Sequence, residues 1–88
     1  MKSIWKMYTI IDEPISVGVI FSAGKINPKF FVWKGKKYPI EKITFLWDSK
    51  EGSAQVFHFA VTNDGSVYEI SYNLKTSNWK LDKIHEQW

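Results

Sequence analysis

Apolar and polar residues alternate along most of this 88-residue chain, which is the pattern of β-strands with one buried face. In "ISVGVIFS", residues 15–22, every odd-numbered position is apolar. The first segment, "SIWKMYTII" (residues 3–11), also fits a helical stripe. Its β-rich composition and the stop at Asp12–Pro14 favour a strand. The pattern therefore predicts an all-β chain.

The clearest hairpin is "AQVFHFAVTNDGSVYEISYN", residues 54–73. A two-residue turn at Asp64-Gly65 uses the tolerance of glycine for positive φ and places Val61 opposite Tyr68. One face then becomes apolar and aromatic. A three-residue turn with a bulge is the alternative, and the hydrophobic match favours the first register.

A second hairpin is predicted in "FFVWKGKKYPI", residues 30–40. A type II′ turn at Gly35-Lys36 would pair Trp33 with Tyr38 and place Lys34 opposite Lys37. Like charges directly across a ladder cost up to about 1 kcal/mol, so a functional reason for this clash is worth considering. After residue 40 the apolar positions change parity, which indicates a bulge or bend near residues 41–42.

These elements predict a single all-β domain over residues 1–88, an antiparallel meander of six or seven strands. We expect a bent sheet or a small barrel, similar in scale to SH3-like or OB-like folds. A dense core is available, because 44% of the residues are hydrophobic and 17% are aromatic. The last segment, "WKLDKIHEQW" (residues 79–88), fits a short strand that runs into a loose or helical tail.

The charge of the chain is unevenly distributed. Its net charge is +3, from twelve lysines against nine acidic residues, and it contains no arginine. Residues 25–42 hold six of the lysines and one acid, which gives this segment +5 and leaves −2 on the rest. Because arginine is the usual residue for reading guanine and clamping phosphate, a sequence-specific DNA reader is not expected.

The chain has no cysteine, so disulfides and thiolate metal sites are not expected and a reducing compartment is indicated. Its apolar runs are too short for a signal peptide or a membrane span. We therefore expect a cytoplasmic protein without membrane association.

The lysine-rich hairpin is the best candidate site, since charges on a β surface can follow phosphates while neighbouring rings stack on bases. The ordinary interpretation is that lysines keep turn tips in water and blunt edge strands. The first interpretation predicts weak, non-specific binding of single-stranded or structured nucleic acid. Its candidate residues are Lys29, Phe30, Lys34, Lys36, Lys37 and Lys42, with Phe30 expected to be exposed beside the charges.

The alternative is a protein-interaction module, in which the same hairpin or an edge strand docks a partner by strand addition or through its rings. Self-association is a variant, since Trp5 or Trp88 could form a contact in a weak homodimer. A monomer remains equally compatible with the sequence.

No pattern of residues indicates catalysis, a cofactor or a metal, and we expect a protein that is not an enzyme. His58 and His85 are the only imidazoles, and a hydrogen-bonded histidine is expected at His58. The adjacent Asp12 and Glu13 precede a proline that turns them apart, so they do not form an acid–base pair.

Several landmarks keep a spacing that resembles an uncharacterised family of small bacterial proteins, a domain of unknown function, over about residues 15–84. The matching positions are Pro28, Phe31, Trp33, Gly35, Lys36, Tyr38, Trp47, Gly65, Tyr68, Glu69 and Trp79. The resemblance implies no activity, although some members of the family are encoded beside components of translesion DNA synthesis. The chain departs from the family at Lys36, where arginine is usual. If the function of the family depends on that arginine, this departure weakens the case for the same function here.

Overall fold

A computed structural model of the protein describes residues 7–86. Its seven antiparallel strands form where apolar and polar residues alternate in the sequence. They are β1 (Tyr8–Ser22), β2 (Lys25–Trp33), β3 (Lys36–Pro39), β4 (Lys42–Glu51), β5 (Ala54–Asn63), β6 (Ser66–Asn73) and β7 (Asn78–His85). All belong to one open sheet with the order β3-β2-β1-β7-β6-β5-β4. The predicted antiparallel all-β architecture is confirmed. The expected small barrel is not confirmed, because β3 and β4 stand at the two ends of this order and do not pair with each other.

Strand β1 is fifteen residues long and pairs with two different strands. Its first half pairs with β7, up to Ile15 opposite Trp79, and its second half pairs with β2, from Ser16 onward. The predicted break at Asp12–Pro14 is wrong. Asp12 takes a positive φ of 53° and the register shifts there, so the strand continues through a bulge.

The hairpin of β5 and β6 has the predicted register. Val61 lies opposite Tyr68, and both turn residues, Asp64 and Gly65, have positive φ, as a type I′ turn requires. The short strand expected in the last segment is present as β7 (Asn78–His85), and the helical form of the tail is not found as far as Glu86. Residues 87–88 lie outside the described residues. Between residues 7 and 86 there is no helix that is long and apolar enough to cross a membrane.

Six buried side chains form the core on the inner face of the sheet: Phe31, Phe59, Val61, Tyr68, Ile70 and Leu81. The β2–β3 hairpin is attached to it through rings. Phe31 stacks on Tyr38 with 4.9 Å between centroids, and both rings contact Tyr68 of β6 at 5.3 and 5.5 Å. Aromatic pairs of this geometry stabilise by about 0.5–1.5 kcal/mol beyond the area that they bury. The hairpin is therefore held rigidly on the core.

The chain bends between β3 and β4, close to the predicted residues 41–42. The amide of Ile40 donates to the carbonyl of Lys29 on β2, and the amide of Glu41 donates to the carbonyl of Thr62 on β5, both at 2.9 Å. Consecutive amides therefore bond to β2 and β5, the strands that are second from either end of the sheet order. A bulge follows after Ile43, where the register shifts again.

Candidate functional site

The turn of the β2–β3 hairpin lies one residue earlier than the sequence predicted. Lys34 and Gly35 occupy it, with φ of 51° and 76°, which is a type I′ rather than a type II′ pattern. Trp33 therefore pairs with Lys36, and Lys37 pairs with Val32. The predicted clash between Lys34 and Lys37 is wrong, because these residues are not opposite each other.

Each lysine at the tip lies over an aromatic ring. The Nζ atoms of Lys34 and Lys36 are each 5.1 Å from a ring centroid, those of Trp33 and Tyr38 respectively. Such a pair is within the range of a cation–π contact, which contributes about 0.5–1 kcal/mol at an exposed site. The basic tip is thus an array of lysine–ring pairs rather than a set of free charges.

The third pair lies on the opposite face of the hairpin. Lys37 Nζ is 4.3 Å from the centroid of Phe30. Phe30 is half-buried, contrary to the expectation that it is exposed, because its ring lies against Gly18 of β1. The tip lysines are therefore divided between two faces, with Lys34 and Lys36 on the side of Trp33 and Tyr38.

The two flanking lysines occupy different environments. Lys29 is exposed and occupies the extra position of a bulge in β2, because Phe30 pairs with Gly18 while Pro28 pairs with Val19. Lys29 is next to Phe30 in β2 and so lies close to the outer face of the hairpin, where Lys37 covers the Phe30 ring. Lys42 lies beyond the bend, on β4, and belongs to the hairpin in sequence only.

Acidic groups border the hairpin on the inner side. The indole Nε1–H of Trp33 donates to Glu13 Oε1 at 2.9 Å. The Oε2 atom of Glu41 accepts from the amide of Asp64 at 3.0 Å, which fixes this acid at the bend. The outer face, with Lys29, Phe30 and Lys37, is consequently the more purely basic of the two. Trp5 and Trp88, the other candidate rings, lie outside the described residues.

A second polar cluster lies on the outer face of β4 to β7, and the sequence did not indicate it. His58 Nε2 is 2.8 Å from Ser49 Oγ, and the ring of Trp47 stacks flat on the imidazole at 5.0 Å. His58 is half-buried and hydrogen-bonded, as predicted. Beside it, burial raises the pKa of Asp82, while the hydroxyl of the buried Ser71 partly offsets the shift.

This cluster contains a serine hydroxyl beside an imidazole, which are two of the three groups of a catalytic triad: the nucleophile and the base. A carboxylate bonded to the other ring nitrogen would complete it. The structure places no such bond on His58 among residues 7–86, and Asp82 Oδ2 is buried without a hydrogen-bond partner in that range. His85 pairs at 2.6 Å with Glu69. Within the described part of the chain, no group of three or more potential ligands could hold a metal ion.

Neither a family model, nor a curated protein, nor a solved structure matches this chain. The resemblance described from the sequence therefore stays a prediction. Any functional proposal has to be argued from the geometry of the hairpin and the sheet.

Proposed function

We propose that this domain is a non-enzymatic module that binds single-stranded nucleic acid weakly and without sequence specificity, through the β2–β3 hairpin. The observation that carries the proposal is the set of three lysine–ring pairs on one rigid hairpin. Electrostatic attraction to phosphates and stacking on bases are the two contributions that sequence-independent binding of a single strand requires.

The lysine–ring pairs are suited to an exchange of partners. A strand that arrives would draw the ammonium groups to its phosphates and leave the rings to the bases. Each exposed cation–π contact is worth about 0.5–1 kcal/mol, whereas a base stacked on an aromatic ring is worth about 1–3 kcal/mol. The exchange is favourable on these magnitudes. The absence of arginine agrees with binding that does not discriminate between sequences.

The test is an anisotropy titration of a labelled mixed-sequence strand of about 12 nucleotides. Three lysines on phosphates of a single strand predict a slope of about −2 in log affinity against log salt. Affinity should then fall about 15–20-fold between about 50 and 200 mM salt. Reversing Lys34, Lys36 and Lys37 together to Glu should abolish binding.

The matched control reverses three lysines outside the hairpin, at Lys50, Lys75 and Lys83, and so makes the same change in net charge. Lys83 also lies over a ring, with its Nζ 5.0 Å from the centroid of Tyr8, so the control removes one lysine–ring pair that is not on the hairpin. The control should retain most of the affinity, because the contacts that it removes are remote from the tip. Equal losses in both triple variants would show that only the net charge matters. Absence of binding at low salt would contradict the proposal and leave the hairpin a structural element.

The curvature of the sheet is a second feature that fits the binding of a single strand. We propose that the bend at Ile40 and Glu41 lets the open sheet curl into a small barrel, the scaffold of many modules that bind single strands. The bonds of these two amides to Lys29 and Thr62 support it. In a closed barrel both amides would exchange with solvent as slowly as the core strands. Fast exchange at both would favour an open edge.

A further inference from the structure

An acidic side chain from β1 reaches one of the aromatic rings of the β2–β3 hairpin. The Oε1 atom of Glu13 accepts the indole Nε1–H of Trp33 at 2.9 Å, although twenty residues separate the two positions in the chain. A partly buried indole N–H usually finds an acceptor, and a neutral oxygen would serve this purpose as well as a charged one. The hydrogen bond therefore explains why the ring is held, but not why a carboxylate holds it in so basic a hairpin.

The contact with Trp33 uses only part of the acceptor capacity of Glu13. A carboxylate has about four acceptor sites on its two oxygens. Within residues 7–86 the side chain makes no other hydrogen bond and no ion pair, and it is half-buried rather than enclosed. An acceptor with a full negative charge consequently lies at the edge of the Trp33 ring and is open to a ligand that reaches the ring.

Two lysines lie over the rings on the same side of the hairpin. Lys34 Nζ is 5.1 Å from the centroid of Trp33, and Lys36 Nζ is 5.1 Å from that of Tyr38. The two rings are 6.2 Å apart and inclined at 43°. Part of Trp33 packs against the core, and the exposed Lys34 covers its solvent side. A cation, an aromatic face and a carboxylate are thus grouped around one indole.

These three groups suit three different parts of a nucleotide. An ammonium group attracts the phosphate, an aromatic ring stacks on the base, and a carboxylate accepts from an amino group at the edge of the base. Cytosine and adenine carry an exocyclic amino group that can donate this bond. Thymine and uracil carry a carbonyl oxygen where cytosine carries its amino group, and a carboxylate repels an acceptor.

We propose that Glu13 makes the Trp33 side of the hairpin prefer a base with an exocyclic amino group, cytosine or adenine, over thymine or uracil. The inference rests on the proposed function and adds to it a preference at a single nucleotide. The lysine contacts to phosphate stay independent of sequence, because phosphate contacts carry no sequence information directly. Glu13 is then a specificity-determining residue within binding that is otherwise non-specific.

The test compares a labelled oligodeoxycytidine with a labelled oligothymidine, each of about 12 nucleotides, by anisotropy at neutral pH. The protein should bind the cytosine strand about three- to fivefold more tightly than the thymine strand. Glu13→Gln should remove or reverse this ratio. Its amide oxygen can still accept from the Trp33 indole, while its amide nitrogen places a donor where the second carboxylate oxygen was.

Two more variants make the result independent of how the glutamine is oriented. Glu13→Ala removes the acceptor altogether and should also bring the ratio of the two affinities to about one. The matched control is Glu51→Gln, which makes the same change of charge at the far end of β4, away from the hairpin. It should keep the ratio of the unaltered protein.

Equal affinity of the unaltered protein for the two strands would overturn the inference and leave the proposed function intact. A preference for cytosine that persists in both Glu13 variants would overturn it as well, because the discrimination would then arise at another group. Failure of both strands to bind at low salt would contradict the proposed function itself. The two failures are therefore distinguishable in one set of titrations.

Discussion

Replacement of Gly18 by alanine tests how the outer face of the hairpin is built. A Cβ at Gly18 would lie 2.2 Å from Cε2 and 2.3 Å from Cζ of the Phe30 ring. These distances are far below van der Waals contact, so the ring has to leave its position. Gly18 is not among the glycines with positive φ, and the backbone therefore accepts alanine without strain. The three heavy atoms nearest to the new methyl all belong to the ring of Phe30, so this ring has to move first.

The expected cost follows from what the ring loses. Full burial of a phenylalanine contributes about 1.5–3 kcal/mol, and the half-buried Phe30 would lose about 1–1.5 kcal/mol. Separation from Lys37 removes about another 0.5 kcal/mol. The smaller entropy of alanine in the unfolded chain returns about 0.4–1 kcal/mol. Gly18→Ala should therefore lower the free energy of unfolding by about 1 kcal/mol.

The assay is a double-mutant cycle with Phe30→Ala, read by urea denaturation. In the Phe30→Ala background the methyl at position 18 meets no ring, and Gly18→Ala should stabilise by about 0.5 kcal/mol. The coupling between the two sites is then about 1.5 kcal/mol. If Gly18→Ala has the same effect in both backgrounds, the contact between Gly18 and Phe30 does not exist as described.

Two further predictions concern the turn and the polar cluster. Lys34→Asn should be more stable than Lys34→Ala by about 0.5–1 kcal/mol in urea, because both variants lose the contact of Lys34 with Trp33 but asparagine accepts the positive φ at this position of a type I′ turn better than alanine does; equal midpoints for the two variants would contradict the turn type. Burial raises the pKa of Asp82, so the folded chain holds this proton more tightly than the unfolded chain. Stability from this group is full below the ordinary carboxyl pKa and is lost as pH rises through the raised pKa. Asp82→Asn should remove that decline and stabilise the protein at neutral pH by up to about 1 kcal/mol, and a parallel pH profile for both proteins would refute the assignment.

The β5–β6 hairpin could be predicted from sequence because two independent signals agree there. The turn residues Asp64 and Gly65 both tolerate positive φ, and with the turn placed there the alternation on both sides pairs apolar residues with apolar residues. Burial of Val61 against Tyr68 then follows from the period of two. Where turn chemistry and hydrophobic pattern give the same answer, a single sequence determines the pairing.

In the β2–β3 hairpin, turn chemistry and hydrophobic pattern do not select one register together. Moving its turn from Gly35-Lys36 to Lys34-Gly35 changes every pair but leaves the same side chains on each face, so the apolar pattern cannot distinguish the two registers. The choice depends on a lysine at positive φ, which propensity disfavours. The polar cluster was missed for another reason. Ser49, His58 and Asp82 lie on three strands, and no local spacing relates them.

Gly18→Ala also separates stacking from charge in the proposed function, because it displaces the ring of Phe30 from under Lys37 and changes no lysine. If Phe30 stacks on a base, the variant should bind the oligonucleotide about fivefold more weakly, with the same salt slope. Phe45→Ala removes an exposed ring from another strand and should leave affinity unchanged. The Lys→Glu changes act differently, because they reduce the slope itself. An unaltered affinity in Gly18→Ala would exclude the outer face from the contact, and binding would then have to occur on the side of Trp33 and Tyr38, where Lys34 and Lys36 lie over the rings.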